Sequence, residues 1–246
     1  MKLSGNTILI TGGATGIGYA FAARFLGAGN EVIICGRREE KLLEVKETYP
    51  QIHTRVCDVA KVSERLALFE CARRKFPGLN VLINNAGVQR RMNLIENEDW
   101  ELTQSEIAVN FEAPVHLSRL FIQHLLKQKS AAILNVTSGL SFAPLANVPV
   151  YCATKAALHS FTLSLRHQLA ETPVGVIEIV PPAVDTDLGG PGLHTFGINL
   201  DEFADAMFDG LAKGEREIAY GTAGAASRAA RDELDEISRR MNQIFG

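Results

Sequence analysis

Tyr151 and Lys155 lie four residues apart in Tyr-Cys-Ala-Thr-Lys. On a helix that spacing puts both on one face. A free phenol ionises near pH ~10, too high for ready proton exchange at neutral pH. An ammonium held beside it favours the phenolate and can lower that value by roughly 1–3 units. The pair can therefore act as an acid/base, although Tyr-x-x-x-Lys also arises by chance. Two further residues could join it. Ser138 closes the strand-like run 131–136 and lies outside any Gly-x-Ser-x-Gly elbow, so its hydroxyl suits donation to a substrate oxygen better than nucleophilic attack. Asn110 precedes Pro114 by four. Proline has no N–H, so within a helix it leaves the carbonyl of residue 110 free for another donor, such as water. An ordinary proline kink is the competing reading.

The elements that must position these residues begin at the N-terminus. Asn6 to Thr11 reads as a buried strand, and Gly12-Gly13-Ala14-Thr15-Gly16-Ile17-Gly18 as a turn. A helix follows through Leu26, then a second strand from Glu31 to Cys35. Glycines between strand and helix let backbone approach a pyrophosphate, and the helix N-terminus offers free N–H groups and a positive dipole end. A purely structural turn remains the alternative. Dinucleotide folds that grip a ribose 2′-hydroxyl carry an acid about 20 residues further on. Here the strand tip reads Gly36-Arg37-Arg38. Two guanidiniums suit a 2′-phosphate, so NADP(H) is expected over NAD(H). In the alternative the arginines are solvated and Glu39 or Glu40 reaches the ribose. Asp58-Val59 ends a third strand, Ile52 to Cys57. The Asp58 carboxylate can accept from an adenine amino group, cap the helix that begins near Lys61, or do both. Leu79 to Ile83 leads into Asn84-Asn85-Ala86-Gly87, which suits a place where backbone meets a flat ligand.

Further along, Glu98 to about Lys127 reads as one long helix interrupted by Pro114, and Val150 to Glu171 as the helix that carries Tyr151 and Lys155. Leu158, Phe161, Leu165 and Leu169 give the latter an apolar stripe for the core or a subunit interface. Val174 to Val180 is the sixth strand. The stretch 188–199 is rich in Gly, Leu and Phe and suits a mobile lid over a hydrophobic site, with Leu140, Phe142 and Leu145 as further apolar lining. Arg90 and Arg91 could meet an anionic substrate or lie solvated in a loop. A helix near 201–212, a short strand near 217–220 and an amphipathic tail helix at about 225–245 complete the chain, with Leu234, Ile237, Met241 and Ile244 on one face of the tail. Alternating strands and helices from residue 6 to 220 predict an α/β fold. It is a Rossmann-like doubly wound parallel sheet of about seven strands with helices on both faces, in a single domain over 1–246.

Composition excludes other classes. A net charge of −3 gives no broad attraction to nucleic acid or acidic membranes. No apolar run approaches the ~20 residues of a membrane span. The start, Met1-Lys2-Leu3-Ser4-Gly5, lacks a signal-peptide pattern. Cys35, Cys57, Cys71 and Cys152 form no Cys-x-x-Cys pair, and no His-x-x-x-His occurs. Buried thiols in a reducing cytoplasm are therefore expected, and a metal site is not.

Taken together, Thr11-Gly12-x-x-x-Gly16-Ile17-Gly18, Asp58, Asn84-Asn85-Ala86-Gly87, Asn110, Ser138 and Tyr151-x-x-x-Lys155 resemble the single-domain short-chain dehydrogenase/reductase family, over nearly the whole chain to about residue 190. The resemblance implies an NADP(H)-dependent carbonyl reductase or alcohol dehydrogenase. Tyr151 would transfer the proton, Lys155 would lower its pKa and bind the nicotinamide ribose, Ser138 would orient the substrate carbonyl, and Asn110 would hold a relay water. It implies cofactor contacts at Gly12, Thr15, Gly16, Ile17, Gly18, Arg37, Arg38, Asp58, Val59, Asn85, Ala86, Gly87, Val184 and Thr186, besides Tyr151 and Lys155. A homodimer or homotetramer is the usual assembly. Two departures stand out: Pro181-Pro182 replaces the family's usual Pro-Gly, and a polar amphipathic helix follows Tyr220-Gly221-Thr222 where many relatives end in Asp-Gly-Gly. The 180–186 stretch and the tail look like a bacterial subgroup named for the oxidoreductase of the teichoic-acid D-alanylation locus. A non-catalytic NADP(H)-binding sensor of the same fold is the alternative function.

Overall fold

Short β-branched runs make the strands. They are Thr7–Thr11 (β1), Glu31–Gly36 (β2), His53–Val56 (β3), Leu79–Asn84 (β4), Ala131–Val136 (β5), Val174–Val180 (β6) and Glu217–Ala219 (β7). In the computed structural model, which describes residues 1–96 and 99–245, they form one sheet in the order β3-β2-β1-β4-β5-β6-β7, with every pair parallel. A parallel sheet is covered on both faces, which is why its central strands are largely apolar, while the edge strands β3 and β7 are not. Ile8 and Ile10 face one layer of helices and Leu9 the other.

The helices are Gly16–Gly27 (α1), Glu39–Thr48 (α2), Val62–Lys75 (α3), Trp100–Ile107 (α4), Ala113–Leu125 (α5), Pro149–Gln168 (α6), Leu200–Lys213 (α7), Gly221–Arg228 (α8) and Arg231–Phe245 (α9). On one face Phe21 and Phe25 of α1 and Phe203 and Met207 of α7 close over Ile8, Ile10 and Ile34. On the other, Leu68 of α3, Phe121 of α5 and Leu165 of α6 close over Leu9, Ile33 and Ile133. Each such side chain, fully buried, stabilises the fold by about 1.5–3 kcal/mol. The winding reverses between β1 and β4, so a crevice opens beyond the carboxyl ends of these two strands, where open α/β sheets bind ligands.

Three expectations change. The helix predicted from Glu98, a residue outside those described, is not continuous from Trp100 onward: α4 gives way to a π-helical turn over Ala108–Glu112 before α5. Pro114 offers no N–H to the Asn110 carbonyl, and the Ala113 N–H reaches back five residues to the Ala108 carbonyl, so the backbone widens rather than simply kinking. The tail is two helices, not one. Ala229 turns extended, and Glu233 reaches back to the Ala230 N–H, starting α9 anew with half a capping box. Asp58 does not cap α3 from its N-cap position, which Lys61 holds; its carboxylate accepts from Ala60 N at 3.0 Å, in a turn before the helix. No helix among the described residues is long and apolar enough to cross a membrane.

Candidate active site

Helix α6 opens on Pro149, a residue preorganised for the first turn, and so presents Tyr151 and Lys155 at its start. Both are buried, at 6% and 3% exposure. The Lys155 Nζ donates to the Val136 carbonyl at the end of β5, 2.7 Å away, and lies 5.6 Å from the centre of the Tyr151 ring. Ser138 is two residues beyond Val136. Its Oγ accepts from Leu140 N at 3.1 Å, capping a single 3-10 turn over Gly139–Ser141. With that lone pair engaged, the hydroxyl hydrogen turns to the neighbouring Tyr151 phenol. Asn110, fully buried in the π turn, uses its whole side chain. Its Oδ1 accepts from Val88 N at 2.9 Å, and its Nδ2 donates to the Val88 carbonyl at 2.8 Å and to Thr154 Oγ1 at 3.2 Å. Its backbone carbonyl gets no N–H from Pro114, the residue four positions on. The four residues expected to act together do converge.

The electrostatics differ from the sequence expectation. Burial pushes the Tyr151 phenol above its ordinary value, while the neighbouring Ser138 hydroxyl pulls the other way. Lys155 does not reverse this, because burial also disfavours its own charge and brings the ammonium down to about 8. The protein without ligand therefore holds Tyr151 protonated.

Across the crevice the glycine loop fits a pyrophosphate. Gly12 has φ +64°, and a Cβ there would stand 2.9 Å from the Ala86 Cα; one on Gly18 would stand 2.3 Å from the Gly12 carbonyl oxygen. Only glycine lets the loop fold this tightly, which leaves the α1 N-terminus, with no side-chain cap and no acid in its first turn, open to an anion. Asn85 fastens the loop to β4. Its N–H bonds Thr11 Oγ1 at 3.0 Å, and its Nδ2 bonds the Thr11 and Gly12 carbonyls at 3.0 and 3.2 Å, so the side chain is committed and only backbone at 85–87 faces the crevice. A Cβ on Gly87 would lie 3.6 Å from Asn110 Oδ1 and 3.8 Å from Lys155 Nζ, and one on Gly16 would lie 3.4 Å from Thr186 Cγ2. The loop, Asn85-Ala86-Gly87, the 184–186 segment and the Tyr-Lys pair thus share one crevice. At its far end Arg38 Nη2 donates to Thr15 Oγ1 at 3.1 Å, holding a guanidinium at the mouth of the loop, with Arg37 exposed beside it. Asp58 and Val59 follow β3 beside β2.

A family model for the short chain dehydrogenases matches residues 6–193. The chain belongs to this family. It is 51% identical to the uncharacterized oxidoreductase DltE of Bacillus subtilis (strain 168), covering 98% of both chains. Among solved structures it is similar to a short chain dehydrogenase from Burkholderia cenocepacia J2315 in complex with NADP, at 26% identity and TM-score 0.84, covering 97% of this chain and 99% of that one. It is also similar to the 3-ketoacyl-(acyl-carrier-protein) reductase of Brucella melitensis complexed with NADH, at 27% identity and TM-score 0.78, covering 85% and 91%.

Several residues of this short-chain dehydrogenase that support the crevice carry no sequence signal. Thr137, between Val136 and Ser138, donates to the fully buried Glu178 at 2.7 Å, and His159 Nδ1 lies 2.9 and 3.0 Å from the two Glu178 oxygens. The hydrogen bond to Glu178 pushes the His159 imidazole upward, and the pair lies beneath the loop that follows β5. Asn84 donates to Asn135 at 2.8 Å and to Ser118 at 3.2 Å, and Asn135 donates to Thr162 at 2.9 Å, tying β4, β5, α5 and α6. On the substrate side Leu140, Leu145, Val148, Cys152 and Leu188 pack around Tyr151. Phe142 departs from expectation and sets its ring edge-on against His159, 4.7 Å away. Arg90 turns inward to the Leu102 carbonyl at 3.0 Å and the buried Glu106 at 3.7 Å, while Arg91 is exposed.

Proposed function

We propose that this short-chain dehydrogenase is a cytoplasmic, single-domain NADP(H)-dependent carbonyl reductase. It acts on apolar ketones and aldehydes, and on secondary alcohols in reverse. One observation supports this most directly: a protonated phenol, a hydroxyl fixed as a donor and a buried ammonium meet beside an apolar wall. Bound NADPH supplies hydride to the carbonyl carbon. Gly12, Thr15, Gly16, Ile17 and Gly18 with the α1 N-terminus would hold its pyrophosphate, Arg37 and Arg38 its 2′-phosphate, and Asp58-Val59 its adenine. The backbone at 85–87, Val184, Thr186 and Lys155 would hold the nicotinamide side.

Ser138 donates to the carbonyl oxygen and stabilises the charge that develops there, worth about 10²–10³ in kcat on the scale of other such donors. Tyr151 gives its proton to the same oxygen. Lys155, and a water on the Asn110 carbonyl, return a proton to it. A phenol raised by burial is protonated at neutral pH, so reduction is the favoured direction and alcohol oxidation needs higher pH. The preference for NADP(H) rests on the absence of an acid at the β2 tip and on the placement of Arg38. The same reading includes a homodimer or homotetramer, with the exposed Trp100 and Leu102 available to a second copy.

The test is a panel of apolar carbonyls with each cofactor. Oxidation of NADPH with kcat/KM at least about tenfold above that with NADH is expected. Equal efficiency removes the NADP(H) preference. Tight NADPH binding without turnover of any carbonyl favours the sensor.

A further inference from the structure

The geometry points to helix α9 as the element that decides which carbonyl substrates reach Tyr151. This selectivity rests on the reductase reading above, but the clasp that produces it can be read without turnover. The chain between Ser138 and Tyr151 has no regular structure between the Gly139–Ser141 turn and Pro149, yet it carries Leu140, Leu145 and Val148, one wall of the apolar pocket. Such a loop would be mobile unless tied down. The C-terminal segment ties it almost residue by residue. A Cβ on Gly139 would meet the Ala223 Cβ of α8 at 2.9 Å. Ser238 Oγ and Asn242 Nδ2 each donate to the Pro144 carbonyl at 3.0 Å. Asn242 Oδ1 accepts from Ala146 N at 2.6 Å, and Asn147 Nδ2 donates to the Phe245 carbonyl at 2.6 Å.

The same helix holds the opposite wall. The Phe245 ring stacks on Phe196 of the 188–199 segment, with centres 5.0 Å apart. The base of that segment is fixed independently, by Asp185 N to the Ile198 carbonyl at 2.9 Å and Ile198 N to the Ala183 carbonyl at 3.0 Å. The part free to swing is the stretch that Phe245 touches. Leu188, at its start, already packs against the Tyr151 pocket. One helix therefore bridges both lips of the substrate cleft.

No residue of α9 is fully buried; Leu234, Ile237 and Met241 are half-buried, and a few hydrogen bonds and one ring contact join them in holding the helix. That attachment can loosen without disturbing the core. The stacked Phe196 and Phe245 rings, both exposed, tie the segment that carries Leu188 to the tail that holds Leu145, and a cleft held at both lips favours slender apolar carbonyls over those with bulky groups on both sides of the C=O.

The experiment uses full-length Asn242→Ala, Phe245→Ala and Asn242→Asp proteins. Amide exchange at Ala146 reads the clasp directly. It should quicken at least about tenfold in Asn242→Ala and stay slow in Asn242→Asp, which keeps the acceptor oxygen. In NADPH-coupled assays Asn242→Ala and Phe245→Ala should shift the kcat/KM ratio of a diaryl ketone to a linear 2-alkanone by about tenfold toward the diaryl ketone, with the NADPH Kd within about twofold of wild type. Unchanged Ala146 exchange overturns the clasp. An unchanged substrate ratio overturns its selecting role. If wild type reduces no carbonyl, the reductase reading and the selectivity built on it both fall, and the clasp is judged on exchange alone.

Discussion

The two sides of the crevice are built in opposite ways. The β1–β4 side is made within one early stretch of chain, from glycine backbone, a helix N-terminus and an asparagine that sutures the two strands. The other side is assembled from pieces far apart: the loop after β5, the 188–199 segment, and a tail that meets the loop 96 residues later at Ala146 and Asn242. A surface of tightly folded backbone tolerates little change and suits a ligand shared by a whole family. A surface of side chains on loosely held segments can be altered residue by residue and suits a substrate that differs between relatives.

Substitutions should separate the two sides. The largest structural effect is expected at Gly12→Ala. A left-handed backbone and a Cβ 2.9 Å from the Ala86 Cα should together cost about 2–4 kcal/mol in urea unfolding and abolish tight NADPH binding. Normal binding in this variant would remove the distinction between rigid and adjustable sides. Lys155→Met should act in the other direction. The buried ammonium lies well below the ordinary lysine value of 10.5, at about 8, so removing it should abolish turnover yet stabilise the fold by about 1–3 kcal/mol at pH 7. The sign follows from linkage: the penalty is fully present below about 8 and fades as pH rises toward 10.5, so the gain should shrink over that interval. Reduction with saturating NADPH should likewise fall as pH passes about 8, where Lys155 loses its charge; a profile flat to pH 10 would show that the ammonium is dispensable. The smallest effect is expected from ending the chain at Ala230. Since α9 buries no residue fully, stability should change by less than about 1 kcal/mol, whatever happens to substrate choice.

Most of the fold was legible because strand and helix periods alternate cleanly: β5 and β6 match their predicted bounds, β3 is one residue shorter at each end, and the other strands differ by a residue at one end. The glycine-loop side of the crevice was legible for the same reason, its parts being contiguous motifs. Pro114 marked the break in the helix, although the π turn that answers it follows from how the backbone redistributes its hydrogen bonds and not from the proline alone. The networks around Glu178 and Asn135 were not legible. An acid or amide in a strand carries no mark of its partner when the partner, His159 or Thr162, arrives from another element. Removing such a partner leaves a buried polar atom unpaired, so these residues matter as much to the crevice as those whose motifs announce them. The direction of the Tyr151 shift was missed because spacing reports that Lys155 is near, while burial decides what nearness is worth.

The most direct measurement is the turnover and NADPH affinity of Tyr151→Phe, which removes one hydroxyl and leaves the ring packed. The proton-transfer account predicts that kcat for reduction of an apolar ketone falls by at least about 10³-fold while the NADPH Kd stays within about twofold of wild type. Turnover close to wild type in this variant would contradict it.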